Sequence, residues 1–296
     1  MSAYNLKFKQ SPPLKGKQSC LCCSDLYLRG LRIEISEGKK PIMPDQLAHM
    51  IFAREAALRA GLSARLDLTS AAFCAGTFGP DPLFNDVSAN IRAFGLGMHK
   101  RPAREAMERM REPILGGMPM AAEYAAGFFC HYALDRICHP TLIEMARRGE
   151  VKHIAVETAF DRLLYQQGAG HLRRRLMLGR AGLLAAVQMY PGVSPRRFQA
   201  DVNIYLRLRR AMVLGGTPLA TVAGLVAPKY RGVVPFSHPD AGTRAGMQRL
   251  EALMRENIDL AAEQLARFFS AVDGGAPFDV WLNADFSGNA GDEEVK

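Results

Sequence analysis

The strongest constraint in this chain is a ladder of ligand-type side chains. His131, Asp135 and His139 stand at successive steps of four residues, and His153 and Glu157 follow, again four apart. Four residues turn an α-helix by about 400°, so each step drifts only about 40° around the axis and each set shares one face. Such a face offers imidazole and carboxylate, with no lysine or arginine at the same steps. That donor set suits a divalent first-row metal such as zinc. The stretch therefore calls for helices whose inward faces converge on a cation.

A chain of 296 residues that is 48% hydrophobic can bury a sizeable core, in one large domain or two small ones. Its average composition excludes disorder of the whole chain, collagen and a disulfide scaffold. The formal charge of +9 raises nucleic acid or anionic lipid as partners. Its distribution argues otherwise: in residues 1–42 eight basic side chains face three acidic ones, which accounts for +5 of the +9. The six cysteines (Cys20, Cys22, Cys23, Cys74, Cys130, Cys138) show no paired CxxC spacing and read as reduced thiols of a cytoplasmic protein. No apolar run precedes Pro12 and Pro13, which excludes a secretory signal. The uncharged run from Ala211 to Pro228, broken by Gly215, Gly216 and Pro218, reads as a buried helix and turn, not a membrane span.

Helical periodicity dominates the chain, and no alternating strand or internal repeat stands out. The expectation is an all-α, multi-helix bundle with long loops and a metal cluster between helices. Residues 1–42 read as a disordered leader or as sequence ahead of a start at Met43. Residues 43–287 read as one helical domain, and 288–296 as a polar, acidic tail. From Asp45 as N-cap, a helix is expected with Leu47, Met50, Ile51 and Leu58 as its apolar stripe and His49 beside Ala53 and Ala56. A second helix is expected from about Ser63 to Ala75, then a loop in which Pro80 and Pro82 hold Asp81 at a fixed angle. A glycine-rich connection leads to His99. Pro119 opens a long helix that Pro140 halts, and the helix with His153 and Glu157 follows. The stretch from Asp240 to Val272 reads as one long helix.

Seven ligand-type side chains, His49, His99, His131, Asp135, His139, His153 and Glu157, exceed one tetrahedral shell and point to two or three ions. A zinc cluster of that kind acidifies a bound water and neutralises phosphoryl oxygens, which favours phosphoester hydrolysis. Asp81 would orient or deprotonate the attacking water. His171 and His238 read as loop histidines, and Tyr124, Phe128, Phe129 and Tyr132 as core. The arginine groups at 173–175, 196–197 and 207–210 read as solvated faces or helix C-terminal charges.

The segment GFFCHYALDRICHP with HIAVE after it, the upstream GPD and MHK, and PDQLAH near the start of the body together resemble the zinc-dependent phospholipase C family. These motifs cover about residues 43–165, and FDVWLNADFSGN is similar to the family's closing segment. The family is all-α and related in fold to fungal single-strand-specific nucleases. The resemblance implies that His99, His131 and Asp135 hold one zinc and His139, His153 and Glu157 a second. His49 and a bridging Asp135 would hold a third, with Asp81 as general base or bridging ligand. In secreted members an N-terminal tryptophan amine completes the third site; here the only tryptophan is Trp281, and the amine of Pro44 would take that place after a start at Met43. The expected activity is a phospholipase C-like phosphodiesterase acting on a phospholipid or other phosphodiester, compatible with peripheral membrane contact. The alternatives are a nuclease on the same scaffold and a non-catalytic metal-binding helical protein.

Overall fold

A computed structural model describes residues 46–171, 173–213 and 239–289. The leader, the Met43 start with the Pro44 amine, the Asp45 cap, His238, residues 214–228 of the uncharged run and the tail beyond 289 lie outside the described residues. Among the described residues there are ten α-helices and no strand, so the all-α class read from the sequence is the one observed. The helices are α1 Gln46–Arg59, α2 Ala71–Gly76, α3 Ala89–Met98, α4 Arg104–Leu115, α5 Ala121–Arg147, α6 His153–Gln166, α7 Gly179–Val187, α8 Pro195–Val213, α9 Ala241–Glu256 and α10 Ile258–Asp273. Short 3₁₀ turns occupy Leu62–Ala64, Asp81–Asn85 and Val280–Asn283. No described helix is long and apolar enough to cross a membrane.

Helix α5 is the axis of the bundle. Every residue from Tyr124 to Asp135 is buried, which is how a helix surrounded on all sides reads. It packs against α1, α2, α4, α6, α7, α9 and α10. Its small residues set the closest approach: a Cβ on Gly127 would lie 2.3 Å from Phe73 O, and one on Gly76 would lie 2.4 Å from Tyr124 O. At that crossing α2 and α5 touch backbone to backbone, and only glycine fits.

Several expectations need correction. Pro140 does not end α5, which runs on to Arg147. Proline removes one N–H and frees the carbonyl four residues back, and here Gly288 of the C-terminal segment packs against Pro140 and that freed Arg136 carbonyl. Of the expected stripe only Leu47 is fully buried, Met50 and Ile51 are partly buried and Leu58 is 45% exposed, while Ala48, His49, Phe52, Ala53, Ala56 and Ala57 complete the inward face of α1. Alanines were the better signal, because they let α1 lie close to α5 and α10. The helix expected over 63–75 is only the six residues 71–76, since Asp67 accepts from the Thr69 amide and hydroxyl and Ser70 caps Phe73 N, both stabilising a turn. The glycine-rich connection before His99 is helix α3, with Gly95 packed on Leu83. The long C-terminal helix is two, α9 and α10, separated at Asn257.

Candidate metal centre

Six segments build the site, five of them delivering ligand-type side chains. α1 brings His49, the 3₁₀ turn brings Asp81, and His99 caps the C-terminus of α3. α5 brings His131, Asp135 and His139 from one face, and α6 brings His153 in its first turn with Glu157 one turn on. From the sixth, the C-terminal segment, Phe286 lays its ring 4.6 Å from the His99 ring and 5.9 Å from that of His131.

Asp135 stands at the middle. Its Oδ1 lies 3.4 Å from Nε2 of His49 and 3.4 Å from Nε2 of His139. Its Oδ2 lies 3.3 Å from Nε2 of His131 and 3.6 Å from Nε2 of His99. One carboxylate thus faces four imidazoles, two on each oxygen. Around it three groups of possible ligands form: His49 with His131 and Asp135, Asp81 with His99 and His131, and His139 with His153 and Glu157. Asp81 Oδ1 is 3.2 Å from His99 Nε2 and 4.0 Å from His131 Nε2. Glu157 Oε1 is 2.8 Å from His153 Nε2 and 3.6 Å from His139 Nε2. A small pocket lined by His49, Asp135, Cys138, His139 and Glu157 joins the first group to the third.

The surroundings fix which nitrogen each ring presents. His131 Nδ1 lies 3.2 Å from Thr77 O, which can only accept, so Nδ1 carries the proton and the Nε2 lone pair looks into the centre. There it meets carboxylate oxygens, and His131 Nε2 has no hydrogen-bond partner although it is buried. Two acceptors 3.3 Å apart repel unless a cation or a proton lies between them. His99 repeats the pattern more loosely, with Nδ1 3.5 Å from Gly95 O. A donor set of imidazole and carboxylate with an orphaned buried lone pair fits a divalent cation.

Electrostatics agree. Burial and the neighbouring His131 push His49 down to about 4, which leaves the neutral imidazole that a metal requires. Burial also works against a charged His99, but the hydrogen bonds it donates to the Asp135 and Asp81 carboxylates outweigh it and push His99 up to about 10. Burial opposes ionisation of Asp81, Asp135 and Glu157 too, yet the facing histidines hold all three below the usual carboxylate range. Without an ion, protons on the imidazoles neutralise these acids; a divalent cation takes over that task.

Supporting residues hold this arrangement from behind. Gly79 has φ +52°, and a Cβ there would fall 2.1 Å from the His131 ring. Its carbonyl accepts from Tyr190 Oη at 2.8 Å, and Tyr190 shares a 2.8 Å hydrogen bond with Tyr124. Asp161, fully buried on α6, accepts from Leu47 N at 2.5 Å and Ala48 N at 2.6 Å, and so clamps the start of α1 beside the helix that carries Glu157. Asp161 was legible in principle, being the next step of the His153, Glu157 ladder. Phe286, Tyr190 and Gly79 carried no such signal. Tyr124, Phe128, Phe129 and Tyr132 are core, as read from the sequence. Arg197 is not a solvated charge: it pairs with both oxygens of Asp86 at 2.6 Å. Arg209 is buried over the Tyr205 ring.

Residues 48–193, about half of the chain, match the family described as zinc dependent phospholipase C. No curated protein and no solved structure matches the chain.

Proposed function

The chain carries a zinc-dependent phospholipase C family domain over residues 48–193, and from that premise we propose that it is a phospholipase C-like phosphodiesterase holding two or three zinc ions. The single observation that carries the reading is Asp135, whose two oxygens face four imidazoles and join the ligand groups into one cluster. His139, His153 and Glu157 hold one ion, and His99, His131 and Asp81 or Asp135 a second. His49 with Asp135 holds a third. Zinc bound there supplies Lewis-acid chemistry, neutralising phosphoryl oxygens and acidifying water.

The protein's own groups do the rest. Thr77 O fixes the His131 tautomer, and Asp135 holds imidazoles of α1, α3 and α5 around one point. Asp81 is the carboxylate placed to take the proton of the attacking water, because its loop is fixed by Pro80 and Pro82 and its charge is maintained by His99. The water oxygen then bonds to phosphorus as the P–O bond to the alcohol breaks, and the departing alkoxide leaves as the alcohol on taking up the proton that Asp81 accepted. The nuclease alternative needs aromatic platforms for bases, and among the described residues none of the large exposed apolar side chains is aromatic.

The experiment is hydrolysis of bis(4-nitrophenyl) phosphate, of phosphatidylcholine micelles and of single-stranded DNA by the zinc-loaded protein, beside Asp135→Asn. Phosphodiester and lipid turnover that falls by roughly a thousandfold in Asp135→Asn is expected. Turnover of DNA alone would establish the nuclease, and zinc binding without turnover the non-catalytic alternative.

A further inference from the structure

Residues 162–200 contain seven arginines and no acidic residue. The segment sets out from the wall of the metal centre, where Gly170 packs against Leu47, two residues from His49. It then lies along α8 in extended form: Leu176 N donates to Asn203 Oδ1, Leu178 N to Gln199 Oε1, and Gln199 Nε2 to Leu176 O. Leu176 and Leu178 turn inward, which turns Arg175 and Met177 out. Met177 is 56% and Leu184 41% exposed, and with Arg180 and Pro195 they line an open groove between α7 and α8.

Many surface arginines of this protein are neutralised by carboxylates, Arg197 of this same segment among them through Asp86. Arg59, Arg65, Arg147, Arg148 and Arg267 all have carboxylate partners. Arg174, Arg175 and Arg180 are exposed and have no ion pair among the described residues. Unneutralised guanidinium groups beside protruding aliphatic side chains match the two layers of a membrane surface, phosphate outside and acyl chain beneath. We propose that the face formed by Arg175, Met177, Arg180 and Leu184 docks the protein onto an anionic phospholipid bilayer. Nucleic acid is the less suited partner, because the apolar side chains of this face are Met177 and Leu184 and it offers no ring on which a base can stack. The docking goes beyond the hydrolytic reading and is measured without turnover.

The test is co-sedimentation of the zinc-loaded full chain with vesicles of phosphatidylcholine alone and with about 30% phosphatidylglycerol added. Binding to the anionic vesicles only, weakening as salt rises, is expected. The arginine variant Arg175→Gln, Arg180→Gln should bind roughly 25-fold more weakly, at about fivefold per arginine. Met177→Gln with Leu184→Gln should weaken binding while leaving its salt dependence in place. Zinc content, melting temperature and turnover of bis(4-nitrophenyl) phosphate should be unchanged in both variants, which separates a failure of docking from a failure of the phosphodiesterase reading. Equal binding to both vesicle types, unchanged binding by the arginine variant, or arginine-dependent binding of an RNA oligomer without vesicle binding would each overturn the proposal. If a variant melts early, the salt titration of the parent decides: a flat dependence on ionic strength overturns it.

Discussion

At the residue scale the centre depends on atoms that leave no room. A Cβ on Gly79 would overlap the His131 ring, in a backbone conformation that favours glycine. Gly79→Ala is expected to cost roughly 1–3 kcal/mol and to displace His131, so that calorimetric melting falls and zinc content drops by about one ion. An unchanged zinc count would show that the ring moves aside without consequence. Asp201 gives a pH signature apart from the ligands. Its burial, and then its contact with Asp86, push its carboxyl up to about 7, while Arg197 pulls the other way. In this range the folded state holds a proton that the unfolded chain has released, so the group's contribution is full below the ordinary carboxylate range and is lost as pH rises towards about 7. Asp201→Asn should therefore flatten the fall of stability over that window and raise the urea midpoint at pH 8; a parallel pH profile for the two proteins would refute the assignment.

At the element scale, the question is what sets α1 and α6 in register, since His49 rides on one and His153 and Glu157 on the other. Asp161 answers it by accepting the amides of Leu47 and Ala48 in the first turn of α1. A charged acceptor for helix N-terminal amides, in a buried setting, is worth roughly 1–3 kcal/mol, and Asn keeps only one neutral acceptor. Asp161→Asn is expected to lower the urea midpoint accordingly and to weaken the ion at His49 first, while that at His139, His153 and Glu157 stays. Zinc titration resolves the two; a uniform loss at every site would mean general unfolding instead. The α5 helix makes a related point: it continues through Pro140 to Arg147, with the C-terminal segment at Gly288 lying beside the proline and the carbonyl it frees.

For the whole molecule, residues far from the ligand motifs finish the site. Asp279 caps the Val280–Asn283 turn, Arg136 stacks on Trp281 and bonds its carbonyl, and Tyr132 Oη donates to Trp281 O at 2.8 Å. Phe286 N then donates to His99 O at 3.2 Å, and its buried ring packs on His99, His131, Phe128 and Tyr132. Phe286→Ala should cost about 3–5 kcal/mol and loosen His99, read as an earlier melt and a weaker zinc affinity. Chelation of the parent should also lower its melting temperature, because an ion held only by the folded state stabilises it by mass action. A melting curve indifferent to chelator would mean that the cluster carries no ion.

The helical class, the central place of the ladder and all eight side chains of the candidate centre were legible in the sequence. Residue type and a period of four are local properties, and a helix converts them directly into a shared face. The breaks in the reading came where distant parts of the chain decide. Pro140 sits within a helix that runs on to Arg147, with Gly288 of the C-terminal segment beside it, and α1 buries its alanines because α5 and α10 lie close. Which oxygen of Asp135 meets which imidazole, and which amides Asp161 accepts, depends on the mutual placement of α1, α5 and α6. That placement comes from long-range packing, for which no local spacing is a substitute.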